Sequence, residues 1–95
     1  MIRHIVFFKV REAEKGKIPT LVEGIRAMKG KVAELVDIEA GEDFLHSPRS
    51  CDVALVATFK TREDLDAYQV NPIHVDIKTR LSSISESIAA VDYEF

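Results

Sequence analysis

The residues best suited to chemistry are a tyrosine and a histidine set on either side of a proline: Tyr68, Pro72 and His74. A histidine with an ordinary pKa near neutrality can take a proton from a carbon acid flanked by carbonyl groups. A tyrosine hydroxyl can donate to an enolate oxygen as negative charge builds on it. A bend between two short helices at Pro72 would bring the two side chains together. The local alternative is that His74 bonds to its own helix while Tyr68 packs its ring and leaves its hydroxyl in water.

The remaining candidates carry weaker signals. His4 stands mid-strand among apolar neighbours, where it either hydrogen-bonds within the core or lines a pocket. With His46 and His74 it completes the three histidines of the chain, but none are paired at metal-ligand spacing. His46 falls in a loop, and no metal site or cofactor is expected. Cys51, the single cysteine, has no neighbouring base, and Ser82, Ser83, Ser85 and Ser87 lie in no nucleophile-elbow pattern. A nucleophilic enzyme is a poor fit.

Composition narrows the setting. The chain has 95 residues and a formal charge of -3, with 46% hydrophobic and 31% charged residues. That length suits one domain over residues 1–95. Acidic residues interleave with the basic ones and no aromatic stacking platform accompanies them, which argues against nucleic acid. The apolar run Ile5 to Phe8 is shorter than a signal-peptide core, and no segment is long enough to span a membrane. A cytoplasmic protein with a reduced thiol is expected.

These residues need elements to position them. Met1 to Val10 reads as a strand, with Ile2, His4, Val6, Phe8 and Val10 on one face and Ile5 and Phe7 on the other. Arg11 to Lys17 leads into a helix whose stripe is Ile18, Leu21, Val22, Ile25 and Met28, with Gly30 placed to stop it. Val32 to Gly41 reads as a second strand and Val53 to Phe59 as a third, joined by a loop over Glu42 to Ser50. Thr61 caps a helix running towards Tyr68. Asn71 and Pro72 open another, with Ile73, Ile77, Leu81 and Ile84 on its apolar side. Ser87 to Phe95 closes the chain as a strand.

This is an α+β, ferredoxin-like β-α-β-β-α-(α)-β order, an antiparallel sheet with its helices on one face. Strands one and three are apolar on both sides, so something must cover the second face. A second copy of the same sheet is the economical answer, giving a homodimer closed as an α/β barrel.

The opening Met1-Ile2-Arg3-His4-Ile5-Val6-Phe7-Phe8-Lys9, the segment Leu65 to His74 with its Tyr-x-x-x-Pro-x-His spacing, Ala40-Gly41-Glu42 and Val91-Asp92-Tyr93-Glu94 resemble the stress-responsive A/B barrel (Dabb) family over essentially the whole chain. The resemblance implies a dimeric barrel with a pocket between sheet and helices for a small hydrophobic or aromatic ligand. It also implies, from a plant branch that cyclises linear polyketides by aldol chemistry, His74 as general base and Tyr68 as orienting or oxyanion-stabilising group. His4 would bind substrate in the same cavity. Many members have histidine where this chain has Asn71, which removes one imidazole but not the helix cap. Two other readings stand beside it: a non-catalytic structural or partner-binding homodimer, and a cofactor-independent or haem-degrading monooxygenase of a related dimeric barrel. The absence of tryptophan weakens the last.

Overall fold

Richness in β-branched and aromatic residues, apolar on both faces, sets the first strand, β1 (Ile2–Val10), inside the sheet. In the computed structural model, which describes residues 1–95, it is followed by a 3-10 turn (Glu12–Lys17) and helix α1 (Ile18–Arg26). Then come strands β2 (Asp37–Glu42) and β3 (Val53–Phe59), helices α2 (Arg62–Val70) and α3 (Pro72–Ile84), and strand β4 (Ser85–Glu94). The strands lie in the order β2-β3-β1-β4, every neighbouring pair antiparallel. This is the expected α+β, ferredoxin-like arrangement.

Because strand side chains alternate, each register pair assigns a face. Val6 stands between Leu55 and Ala90, and Phe8 between Val53 and Ile88, on the side covered by helices. Ile18, Leu21, Val22 and Ile25 of α1 pack onto that side and are buried. Gly24 lets α3 come close: a methyl group there would sit 2.8 Å from Ile77 Cδ1. The opposite side presents Ile5 between Val56 and Val91, and Phe7 between Ala54 and Ala89. Phe7 and Val91 remain 42% and 57% exposed.

Local caps fall where residue chemistry requires them. Thr61 Oγ1 accepts from the Asp64 amide at 3.1 Å and Asn71 Oδ1 from the Ile73 amide at 2.9 Å, each satisfying an otherwise orphaned helix N–H. Asn71 ends α2, whose cap N–H bonds back to the Tyr68 carbonyl, and begins α3 with Pro72 at its first position. The two helices therefore meet at a corner with no intervening loop.

Three boundaries differ from the sequence expectation. The second strand starts at Asp37 rather than Val32, because the Val32 amide turns back to the Met28 carbonyl and its side chain plugs the core beneath α1. Gly30 does take a positive φ of 84°, yet α1 itself ends at Arg26 and the chain continues to Gly30 in turns. The last strand begins at Ser85, which pairs with Val10 across an irregularity between Lys9 and Val10. On α3, Ile73 is 40% exposed, whereas His74 joins Leu81 and Ile84 in the buried stripe. Ile77, Leu81 and Ile84 face the core as expected, and His74 takes the place expected of Ile73.

Candidate functional site

The corner at Asn71-Pro72 folds the end of α2 over the start of α3 and thereby stacks Tyr68 on His74. Their ring centroids are 3.9 Å apart with an interplanar angle of 34°. Tyr68 also leans on Phe59, at 5.0 Å between centroids, and meets His4 edge-on at 6.2 Å. All three residues singled out in the sequence are thus brought together: Tyr68 and His74 from the helices, His4 from the central strand. Each is buried.

They line one cleft of about 270 Å³ between the helix-covered side of the sheet and α3. Its walls are mostly apolar, with Val6, Phe8 and Leu55 on the sheet side, Ile77 and Leu81 on α3, and Ile88 and Ala90 on β4. The cleft exists because α3 does not lie over β4. From Glu86 to Glu94 that strand is exposed along its length, on the helix side as well as the other. Its volume suits a small ligand with an apolar body and a few polar groups. A wider hollow of about 440 Å³ between α1 and α3, around Gly24 and Asp76, is a shallower surface feature away from these rings.

Sequence reasoning missed several polar members of the site, and Asp92 is the one that touches a predicted residue. Asp92 lies opposite His4 in the β1–β4 register, and its carboxylate bonds to His4 Nδ1. A carboxylate on one ring nitrogen fixes the orientation of the imidazole and leaves the other nitrogen to the cleft. Only the strand register could have disclosed this. Gln69, Lys78 and Ser82 complete the polar lining.

Two buried polar atoms in this cluster have no hydrogen-bond partner within the protein: Tyr68 Oη and His74 Nδ1. Groups of this kind cost about 1–3 kcal/mol each when left unpaired, and most native proteins avoid them. Burial pushes the Tyr68 phenol well above its ordinary pKa, so it stays protonated. Burial is also the main reason that His74 falls to about 4; the charge of Lys78 and the proximity of His4 add to this. They are opposed by the backbone carbonyls of Gln69 and Tyr68, which lie near the ring and favour its protonated form without reaching hydrogen-bond geometry. At neutral pH the pair therefore holds a neutral imidazole against a neutral phenol.

That shift has a consequence for stability. Folding lowers the His74 pKa from 6.5 to about 4, so the unfolded chain binds the proton first as the medium acidifies. Stability from this group is intact above pH 6.5 and is lost as pH falls towards 4, by roughly 2 kcal/mol once the water at the cleft mouth is allowed for. A denaturant series over that window, compared with His74→Gln, should show a steeper decline in the native protein.

The other sequence candidates lie elsewhere. His46 adopts a positive φ of 54° in the exposed loop between β2 and β3, with Nδ1 3.5 Å from Asp43 Oδ2. Cys51 is half-buried and unpaired beside Asp52, whose carboxylate accepts from the Val10 amide at 2.7 Å. No three histidine, cysteine, aspartate or glutamate side chains converge in a way that could hold a metal ion. No helix is long and apolar enough to cross a membrane.

Comparison with known proteins places this geometry in context. Residues 2–95 match the model of the family described as the stress responsive A/B barrel domain. A stress-response A/B barrel domain-containing protein of Arabidopsis thaliana, DABB1, is 30% identical over 98% of this chain and 46% of its own length. The chain thus spans about half the length of that curated relative. A crystal structure from Bacteroides fragilis, of a dimeric protein of unknown function with a ferredoxin-like fold, is 33% identical. It superposes with a TM-score of 0.87 over 99% of this chain and 95% of that one. A hydroxynitrile lyase from Passiflora edulis shares the fold at 19% identity, with a TM-score of 0.82 over 97% of this chain and 90% of its own.

Proposed function

The chain belongs to the stress-responsive A/B barrel domain family, and from that premise we propose that it is a homodimer whose cleft binds a small, mostly apolar carbonyl compound. Acid–base chemistry on that compound follows from Tyr68 and His74. The observation that carries the reading is the pair of buried, unpartnered polar atoms, Tyr68 Oη and His74 Nδ1, on stacked rings in one cleft. A ligand carbonyl against Tyr68 gives its hydroxyl an acceptor, and a polarised C–H beside His74 gives its lone pair a proton.

The chemical step is a proton abstraction. Neutral His74 takes a proton from the carbon next to the ligand carbonyl; the C–H electron pair becomes the carbon–carbon double bond of the enolate, and the carbonyl π pair moves onto oxygen. Tyr68 donates a hydrogen bond to the enolate oxygen in surroundings where little water competes. Where the ligand holds a second carbonyl, the enolate carbon attacks it and forms a carbon–carbon bond. The new alkoxide then recovers the proton from the His74 imidazolium. An imidazole with a lowered pKa is a weak base, so the hydrogen bond from Tyr68, which acidifies the C–H, matters to the rate. His4, held by Asp92, bounds the ligand on the sheet side. The fold is compatible with acid–base chemistry, since a hydroxynitrile lyase shares it.

Dimerisation rests on the sheet's second side. Ile5, Phe7, Val56 and Val91 make an apolar surface there that a monomer leaves in water, and a solved relative of this fold is dimeric. The twofold partner would cover it with the same surface.

Calorimetric titration tests the binding. A set of aromatic ketones should include ligands that bind with a negative heat-capacity change, as apolar burial requires, and that bind more weakly to Tyr68→Phe. If no carbonyl compound binds, or if Tyr68→Phe binds them all equally well, the reading fails.

A further inference from the structure

Lys78 stands one helical turn beyond His74 on α3 and lines the same cleft. Its side chain has no carboxylate partner in the protein. The nearest acid on its own helix, Asp76, is instead paired with Arg80 at 3.4 Å. Across the cleft the single acid of the lining, Asp92, is already bonded to His4. Ser82, the next turn along α3, adds a hydroxyl to the same rim. The cleft is therefore polarised, with a carboxylate hydrogen-bonded to His4 on the β4 wall and a positive charge without a carboxylate partner on the α3 wall. That charge is felt inside, since it contributes to holding His74 unprotonated.

We propose that Lys78 selects for an acid: the preferred ligand is an amphiphilic carbonyl compound bearing a carboxylate, which lies at the cleft rim against Lys78 and Ser82. Its apolar body runs inward between Leu81 and Ile88, and its carbonyl reaches Tyr68 and His74. The proposal rests on the reading of the cleft given above and adds the class and direction of the ligand. A cationic group is disfavoured at this rim because it would face Lys78. A carboxylate at an ammonium gains a charge-assisted hydrogen bond that its neutral isostere lacks.

Matched probes separate this proposal from the reading beneath it. 4-Butyrylbenzoate and 4-butyrylbenzamide have the same ring, ketone and tail and differ in charge. The unmodified protein should bind the acid about fivefold to tenfold more tightly than the amide, with the preference shrinking as salt rises. Lys78→Met should bring the ratio close to one, and Lys78→Arg should retain it. Lys78 is exposed, so both variants are expected to fold. Equal binding of acid and amide by the native protein, or an acid preference that survives in Lys78→Met, overturns the role of Lys78 while the cleft reading stands. Failure of both probes to bind overturns the two together.

Discussion

His74→Gln should keep the fold and lose proton abstraction by at least about 100-fold, the lower end of what a positioned general base contributes. Deuterium wash-in at the α-carbon of a bound aromatic ketone, followed by NMR above the buffer background, reads this directly. Glutamine retains size and polarity in the buried stripe of α3 but offers no basic nitrogen. Tyr68→Phe provides the second half of the test. It removes a buried hydroxyl that has no partner in the protein, so it should leave stability unchanged or raise it by about 1 kcal/mol. The exchange rate should nevertheless fall about tenfold or more, because the enolate loses its donor. Stability and activity moving in opposite directions is the signature of a polar group kept for chemistry. A Tyr68→Phe protein that is less stable and equally active would assign the hydroxyl to structure.

The other large effect is expected on the far side of the sheet. Introducing charge at Val91, as Val91→Glu, places two like charges on the proposed twofold surface, one from each copy. Burying them unpaired costs several kcal/mol, enough to dissociate a dimer of ordinary affinity. Sedimentation should show the native protein at twice the chain mass and the variant at the chain mass, with unchanged secondary structure, since Val91 is 57% exposed within one chain. A native protein that sediments as a monomer, or a variant that stays dimeric, would remove this face as the interface.

Much of this arrangement is legible before any coordinates. The strand at Ile2–Val10 announces itself by its β-branched and aromatic residues, and apolar residues on both of its sides already demand two covers. Tyr68 and His74 are legible because Asn71 and Pro72 have a strong local meaning: a cap and a first helical position, hence a corner that brings flanking side chains together. Asp92 is not legible in this way. Its place beside His4 depends on the register between the first and last strands, a contact between chain ends that no local pattern encodes. The apolar series Ala89, Val91, Tyr93 and Phe95 also draws attention to the opposite side of that strand. Lys78 is obscured by its exposure. It lies beside the expected stripe of Ile77, Leu81 and Ile84, at the exposed edge of the cleft, where a lysine reads as ordinary solvent-facing surface. Val32 misleads for a different reason, since an apolar residue in a turn can fill the core as well as one in a strand.

The most direct test of the central claim is a pH titration of the His74 ring by nitrogen-detected NMR, with and without 4-butyrylbenzamide. The account predicts a ring that stays neutral from pH 8 down past 5 and titrates near 4, with the His74 and His4 signals both moving when the ketone is added. A His74 that titrates near 6.5, with neither ring responding to the ligand, would contradict it and leave the cleft as a feature of packing alone.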